Sequence, residues 1–295
     1  MKKEKPVQIL EQLEVTAMSS EGKGIARLDG MVVFIDHCVT GDVVDARIYR
    51  KKSGYREASP VKFHKSSALR IEPVCSHFGV CGGCKWQNLQ YSEQLKHKHK
   101  QVEDALTRIG HLTYPAAGGI LAAPQTLRYR NKMEYTFSDS RWLTSEEIER
   151  GQDAGSRNAL GFHIPGRFDK ILEIDSCFLQ DDTGNQIRNF IRREAEKSGI
   201  PFFNLRNQTG VLRTLLLRNN SRSEWMVCLM VTEMNSQVEA LLKDLHAAFP
   251  QIVSLFYAVN TKRNDSMTDI EPGIFRGQQW MNEYMENLVF RIHPK

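Results

Sequence analysis

The sequence predicts a multidomain α+β protein: a small OB-like β-barrel, then an α/β central domain built on a mixed sheet. Three observations predict it. About five short strand-like runs crowd into the first part of the chain, each bounded by turn chemistry, as a small closed barrel requires. A strand–strand–helix–strand order follows between residues 211 and 259. Between these two patterns lies a loop in which three of the six cysteines fall within ten residues.

The barrel elements come first. Val7 to Val15 alternates weakly between apolar and polar residues, and Gly22-Lys23-Gly24 and Asp29-Gly30 are turn sequences, the second a hairpin signal. Met31–Ile35 is a compact β run, Thr40-Gly41-Asp42 turns again, and Val43 to Tyr49 alternates. Arg50 to Arg56 reads as a basic hairpin tip carrying Lys51, Lys52 and Arg56. A helix is expected after the cysteine loop, with Ser92 as N-cap, Gly110 at its end, and Leu95, Val102, Leu106 and Ile109 on one face. Residues 128–138 read as a strand with Arg128, Arg130 and Lys132 on one face and Tyr129, Asn131, Met133, Tyr135 and Phe137 on the other. Residues 141–158, with Gly151 and Gly155, read as a polar loop or lid. Then come paired strands 160–164 and 170–174, a helix over 181–198, strands 211–218 and 224–231, a helix over 235–248, and an apolar strand, Ile252–Val259. The expected domains are 1–68 for the barrel, 69–91 for the cysteine loop, 92–125 for the helix and linker, 126–270 for the central domain, and 271–295 for the start of a further one.

Composition narrows the function. With 41% hydrophobic and 25% charged residues, the 295-residue chain falls outside the disordered class. No apolar run approaches the roughly 20 residues of a membrane helix, and no apolar segment follows Met1 as in a secretory signal. The expected location is the cytoplasm, with no membrane partner. Basic residues number 40 against 35 acidic ones, and they concentrate early: residues 1–70 hold 13 Lys/Arg against 9 Asp/Glu, and residues 85–132 hold 8 against 3. That distribution suits a surface that neutralises phosphates, and equally a solvated lysine face.

The sharpest motif is Cys75-x5-Cys81-Gly82-Gly83-Cys84. Two thiolates separated by two residues can grip one metal centre from a single turn, and glycines let backbone amides approach the sulfurs. A closed site needs a fourth ligand. Cys228 alternates with Met226 and Met230 in a predicted strand and reads as core, Cys38 sits in a turn of the barrel, and Cys177 follows a strand in a loop; Cys177 is the expected ligand. One C-x2-C pair with two single ligands departs from the two-pair zinc pattern and favours an iron–sulfur cluster. Zinc, with His77 able to join, is the other reading, and a disulfide the weakest. No G-x-G-x-x-G loop follows a strand, and no P-loop or Ser/His/Asp arrangement occurs.

Together these residues resemble the RNA (uracil-5-)-methyltransferase family. The resemblance rests on a TRAM-like barrel pattern (Gly24-Ile25-Ala26-Arg27-Leu28-Asp29-Gly30, Val33-Phe34-Ile35, Gly41-Asp42-Val43-Val44) and the cysteine motif with Gln87. Tyr129-Arg130-Asn131-Lys132-Met133-Glu134 and the run from Gly161-Phe162 to Ile174-Asp175-Ser176-Cys177 complete it. It implies RNA as the partner, ribosomal more than transfer RNA, with Lys51, Lys52, Arg56, Arg128, Arg130 and Lys132 facing phosphates. It implies a [4Fe–4S] cluster on Cys75, Cys81, Cys84 and Cys177. It also implies methylation of uridine C5: a cysteine thiolate adds to C6, and C5 then takes the methyl group of S-adenosylmethionine.

In that family a Rossmann-like domain with the cofactor loop, nucleophile and base follows. Leu288 to Lys295 is similar to the strand leading into it. The resemblance therefore implies a chain that lacks most of the catalytic domain, with no catalytic or cofactor-binding residues of its own, inactive alone. It further implies an exposed apolar stripe on residues 92–109, hidden by self-association, by collapse onto the chain's own body or by disorder over 92–125; the alternative is that these residues pack in the central domain's own core. The rival readings are a stand-alone RNA-binding module whose metal only stabilises the fold, and a redox-sensing adaptor.

Overall fold

The computed structural model describes residues 8–113, 118–151 and 156–295. They form two compact units, one of residues 1–79 with 83–126, the other of residues 80–82 with 127–295.

The first unit opens with β1 (Ile9–Glu14), β2 (Ala17–Met18), β3 (Gly24–Leu28), β4 (Met31–Ile35), β5 (Val43–Lys51) and β6 (Tyr55–Lys65). Their order in the sheet is β1-β5-β6-β4-β3-β2. Only Val15 and Thr16 separate the two edge strands, so one nearly continuous run pairs first with β5 and then with β3. That closes the sheet into a barrel and leaves no long free edge. A bulge between Leu10 and Leu13 bends the run, with Gln12 at φ 48° and its amide donating to the Asp45 carboxylate at 2.8 Å. The interior is small and is filled by small side chains: Leu13, Val15, Ala26, Val33, Ile35, Cys38, Val44, Ala46 and Ala58. Asp42, fully buried, locks the exit by accepting from the amides of Val39 and Ser67 and from Arg70.

Helix α1 (Tyr91–Asp104) follows and continues into a π-helical turn over Ala105–Ile109. Its start differs from expectation. Gln90 holds the cap position without a side-chain capping bond, its side-chain amide donating instead to the Ala68 carbonyl, and Ser92 lies inside the first turn. Gly110 keeps a right-handed conformation, because the wider π turn has already consumed the helix end. None of Leu95, Val102, Leu106 and Ile109 enters a core cluster; Val102 is 58% and Ile109 80% exposed. Residues 114–117 of the expected 92–125 linker lie outside the described residues.

The second unit is built from β7 (Lys132–Ser138), α2 (Ser145–Glu149), β8 (Ala159–Ile164), β9 (Arg167–Glu173), α3 (Asp182–Lys197), β10 (Leu212–Asn219), β11 (Trp225–Val231), α4 (Ser236–Ala248), β12 (Ile252–Val259) and β13 (Gly273–Gly277). The strands order as β13-β12-β11-β10-β7-β8-β9, all antiparallel neighbours except β11 and β12, which α4 joins in parallel. This is the mixed sheet the sequence predicts. Asp181 and Asn235 cap α3 and α4 through their side-chain oxygens. The two helices cover one face, burying Ile187, Ile191, Val238, Leu241, Leu242 and Leu245 against Tyr135, Phe137, Leu215 and Leu229. A smaller cluster around Met226, Cys228, Met230 and Phe256 fills the other face.

Three expectations are corrected. The strand predicted over 128–138 begins at Lys132, because Arg128 at φ 57° breaks the extended run and the amides of Arg128 and Arg130 donate to Phe178 and Leu179 instead. Tyr129 is consequently 57% exposed rather than inward. The polar segment 141–158 holds the short helix α2, whose Thr144 and Glu147 form a reciprocal capping box; Gly155 lies outside the described residues. The segment near Leu288 is not a lone strand leading onward. It is β15 (Leu288–Ile292), paired with β14 (Met281–Met285) in a separate two-stranded hairpin.

Candidate metal centre and nucleic-acid surface

The cysteine motif is contributed by both units. In the first, Cys75 and Cys84 are half-buried on a loop whose far end is nailed down by Trp86 and Leu89, packed with Met18, Val39 and Leu69. The Gln87 side-chain oxygen accepts the Cys75 amide at 3.3 Å, and Asn88 donates to the His37 carbonyl at 3.0 Å. The loop is therefore held by these side chains together with an antiparallel backbone bridge between Arg70 and Leu89.

In the second unit, Cys81 and Cys177 pack against one core, the large one under α3 and α4. Each is positioned by a device local to it. Beside Cys81, Gly82 adopts φ 73°, and a Cβ there would stand 2.4 Å from the Pro165 ring at the tip of the β8–β9 hairpin, so only glycine fits. At Cys177, the buried Asn185 amide clamps the backbone from both sides: its oxygen accepts the Cys177 amide at 2.8 Å and its nitrogen donates to the Cys177 carbonyl at 3.2 Å. The remaining cysteines differ. Cys38 and Cys228 are sealed in the barrel core and the second cluster, and burial pushes both thiols up to about 12.

Tyr135, in the middle of β7, belongs to the same large core. Its side chain is fully buried, and its hydroxyl has no hydrogen-bond partner among the described residues. An unpaired buried hydroxyl costs about 1–3 kcal/mol. Burial first, then the charges of Cys177 and Cys81, drive its pKa far above the ordinary tyrosine value, against the opposing pull of Arg188 and Arg130. Arg188, also fully buried, lies over the Tyr135 ring at 5.6 Å and is held by the carbonyls of Leu160 and Asp175 and by Glu173.

Among the described residues, no group of three or more His, Cys, Asp or Glu side chains stands ready to hold a metal ion. Cys75, Cys81, Cys84 and Cys177 are each partly exposed, whereas Cys38 and Cys228 are buried, so the first four are the thiols within reach of a centre. Sequence reasoning missed Asn185, Tyr135 and the Gly82–Pro165 contact. The unusual Gly-Gly between ligands was the one signal for the last.

The basic residues have unequal surroundings. Lys51 and Lys52 are exposed at the β5–β6 hairpin tip, Lys51 donating to Gln8 at 2.6 Å. Arg56 is turned back onto the hairpin, donating to the carbonyls of Lys52 and Tyr55. In the second unit Arg128 pairs with Asp182 at 2.7 Å, while Arg130 and Lys132 are exposed and in no ion pair among the described residues. Arg128, Arg130 and Lys132 therefore do not share one strand face.

A TRAM domain model matches residues 10–61, the barrel strands. The chain is 48% identical over 94% of its length to an uncharacterized RNA methyltransferase of Bacteroides thetaiotaomicron, and covers 62% of that protein. It is 41% identical over 96% of its length to an uncharacterized RNA methyltransferase of Porphyromonas gingivalis, again covering 62%. Among solved structures, a tRNA (uracil-54, C5)-methyltransferase of Pyrococcus abyssi in complex with S-adenosyl-L-homocysteine superposes with a TM-score of 0.66 at 24% identity, over 96% of this chain and 60% of that one; it shares the fold. The chain spans about three-fifths of the length of these proteins. The expectation that the catalytic domain is missing and the chain inactive finds no support in these comparisons, and the segment near Leu288 that suggested a strand leading onward is half of a hairpin.

No helix among the described residues is long and apolar enough to cross a membrane.

Proposed function

We propose that this chain belongs to the RNA methyltransferase family and forms the RNA-handling and metal-bearing part of a cytoplasmic enzyme. That enzyme would use S-adenosylmethionine to make 5-methyluridine, with ribosomal RNA as substrate. The observation that carries this reading is the 48% identity to an RNA methyltransferase along nearly the whole chain, together with the TRAM match on a closed barrel. In this reading the barrel presents Lys51 and Lys52 to the RNA backbone, where they neutralise phosphates without reading sequence. Arg130 and Lys132 do the same on the second unit. A [4Fe–4S] cluster, assigned in the sequence reading to Cys75, Cys81, Cys84 and Cys177, supplies a redox centre when bound. Asn185 and Gly82 hold their neighbouring cysteines in place for it.

The test is methyl transfer from labelled S-adenosylmethionine by the protein, offered unmodified ribosomal RNA and transfer RNA in parallel. The expected result is label at uridine C5 in ribosomal RNA, lowered by Lys51→Ala/Lys52→Ala through KM. Label in transfer RNA alone overturns the ribosomal assignment. No label in either overturns the function.

A further inference from the structure

We propose that Arg218 and Lys132 together hold one phosphate of an RNA backbone, on the sheet face of the second unit opposite α3 and α4. The inference rests on the reading of RNA as the partner, and it adds Arg218 to that reading.

Arg141, Arg188, Arg192, Arg213 and Arg218 are the arginines of the second unit that the fold buries wholly or in part. The first four each meet a carboxylate: Arg141 pairs with Glu147, Arg188 and Arg192 with Glu173 at 3.1 and 3.2 Å, and Arg213 with Asp265 at 2.7 Å. Arg218 has no such partner among the described residues, and its Nε is sealed from solvent without a hydrogen bond. Burial alone acts on the guanidinium, pulling its pKa below the ordinary value with no carboxylate to oppose it. An embedded cation without a counter-ion is costly to a fold.

The strand register adds to that cost. Arg218 on β10 stands directly opposite Lys132 on β7, and residues paired in this way share a face. Like charges set opposite one another destabilise a sheet. Lys132 is exposed and in no ion pair among the described residues, so solvent reaches the position. The face is the one away from α3 and α4: Leu216, two residues before Arg218, and Met226, its partner on β11, both belong to the smaller cluster there. Glu134, opposite Leu216 and on the same face, pairs with neither cation. Two unpaired cations side by side call for one anion from outside the chain. A phosphate suits both, taking parallel hydrogen bonds from a guanidinium and a point charge from an ammonium. Its binding would offset the repulsion that the empty pair imposes.

The experiment measures affinity for unmodified ribosomal and transfer RNA, and unfolding in urea, for the parent, Arg218→Met, Lys132→Met, the double variant and Arg218→Lys. Arg218→Met is expected to weaken RNA binding about tenfold and to leave the urea midpoint unchanged or higher, since it removes an uncompensated charge. Because both cations serve one phosphate, the double variant should bind little more weakly than either single one. Arg218→Lys, which keeps the charge but loses the fork, should recover part of the loss. A parent that binds RNA and an Arg218→Met that binds it equally well overturn this proposal alone. A double variant whose losses multiply does the same, since each cation would then serve its own phosphate. So does a lowered urea midpoint in Arg218→Met, which would make the guanidinium part of the architecture. Inorganic phosphate that raises the parent's urea midpoint as far as RNA does overturns the RNA source in favour of a free anion. A parent that binds no RNA overturns the functional reading and this proposal with it.

Discussion

The barrel and the seven-stranded unit use arginine and lysine in opposite ways. In the barrel the core is small and aliphatic, and the cations of the β5–β6 hairpin stand at the surface. In the second unit two arginines are sealed inside. Arg188 is held by Glu173 and three further acceptors, and Arg213 by Asp265 and the carbonyls of Asn260, Lys262 and Asn264. Net charge therefore says little by itself. Surface cations cost the fold almost nothing and remain available to a polyanion, whereas buried ones are committed to the architecture.

Breaking a buried pair should show the largest effect. Arg188→Ala leaves Glu173, already pushed above the usual carboxylate range by burial, with the half-exposed Arg192 and the Leu160 amide but without its one buried cationic partner. We expect a loss of about 3–5 kcal/mol in urea unfolding. A loss as small as that of a surface substitution would place Arg188 outside the architecture. Next comes Asn185→Ala, which removes both hydrogen bonds on the Cys177 backbone. It should cost about 1–3 kcal/mol and lower the iron retained after anaerobic purification. Unchanged iron with reduced stability would confine Asn185 to a purely structural part.

The barrel should respond to acid. The Lys23 hydrogen bond, helped by Arg50 and Tyr49, holds Glu57 below the usual glutamate range although partial burial opposes it. Because the folded value lies below the unfolded one, the stabilisation is present above about pH 4.5 and is lost as pH falls through the lower folded value. Glu57→Gln should flatten that acid limb in a circular-dichroism titration; an unchanged limb would assign it elsewhere.

Much of this fold was legible from pattern. β12 matches its expected bounds, and α3, α4 and β8 to β11 fall within a few residues of theirs, because long apolar periodicity and caps such as Asp181 and Asn235 are local properties. What pattern could not reveal was set by backbone geometry or by distant partners. The positive φ of Arg128 moves a strand start, the π turn shifts the end of α1, and β13 to β15 are short and largely exposed, so they carry no alternation. The cysteine motif stood out by spacing alone. Asn185, by contrast, looks like any polar residue in a helix until the loop at Cys177 is seen beside it.

A smaller effect tests the exposed helix. With no buried residue in α1, backbone amides at 95–109 should exchange faster in a dilute monomer than those of α3, and slow down as self-association sets in with concentration. Strong protection at all dilutions would mean that Leu95, Val102, Leu106 and Ile109 are already covered.

The most direct measurement is RNA affinity as a function of salt. Lys51, Lys52, Arg130 and Lys132 are the exposed cations assigned to phosphates, so the logarithm of affinity should fall with that of salt at a slope of about −3, at ~0.7–0.9 per contact. Lys51→Ala/Lys52→Ala should flatten the slope by more than one unit while changing stability by less than about 0.5 kcal/mol. A parent slope indistinguishable from zero, or one that the double variant leaves untouched, would contradict the assignment of the barrel's surface cations to RNA.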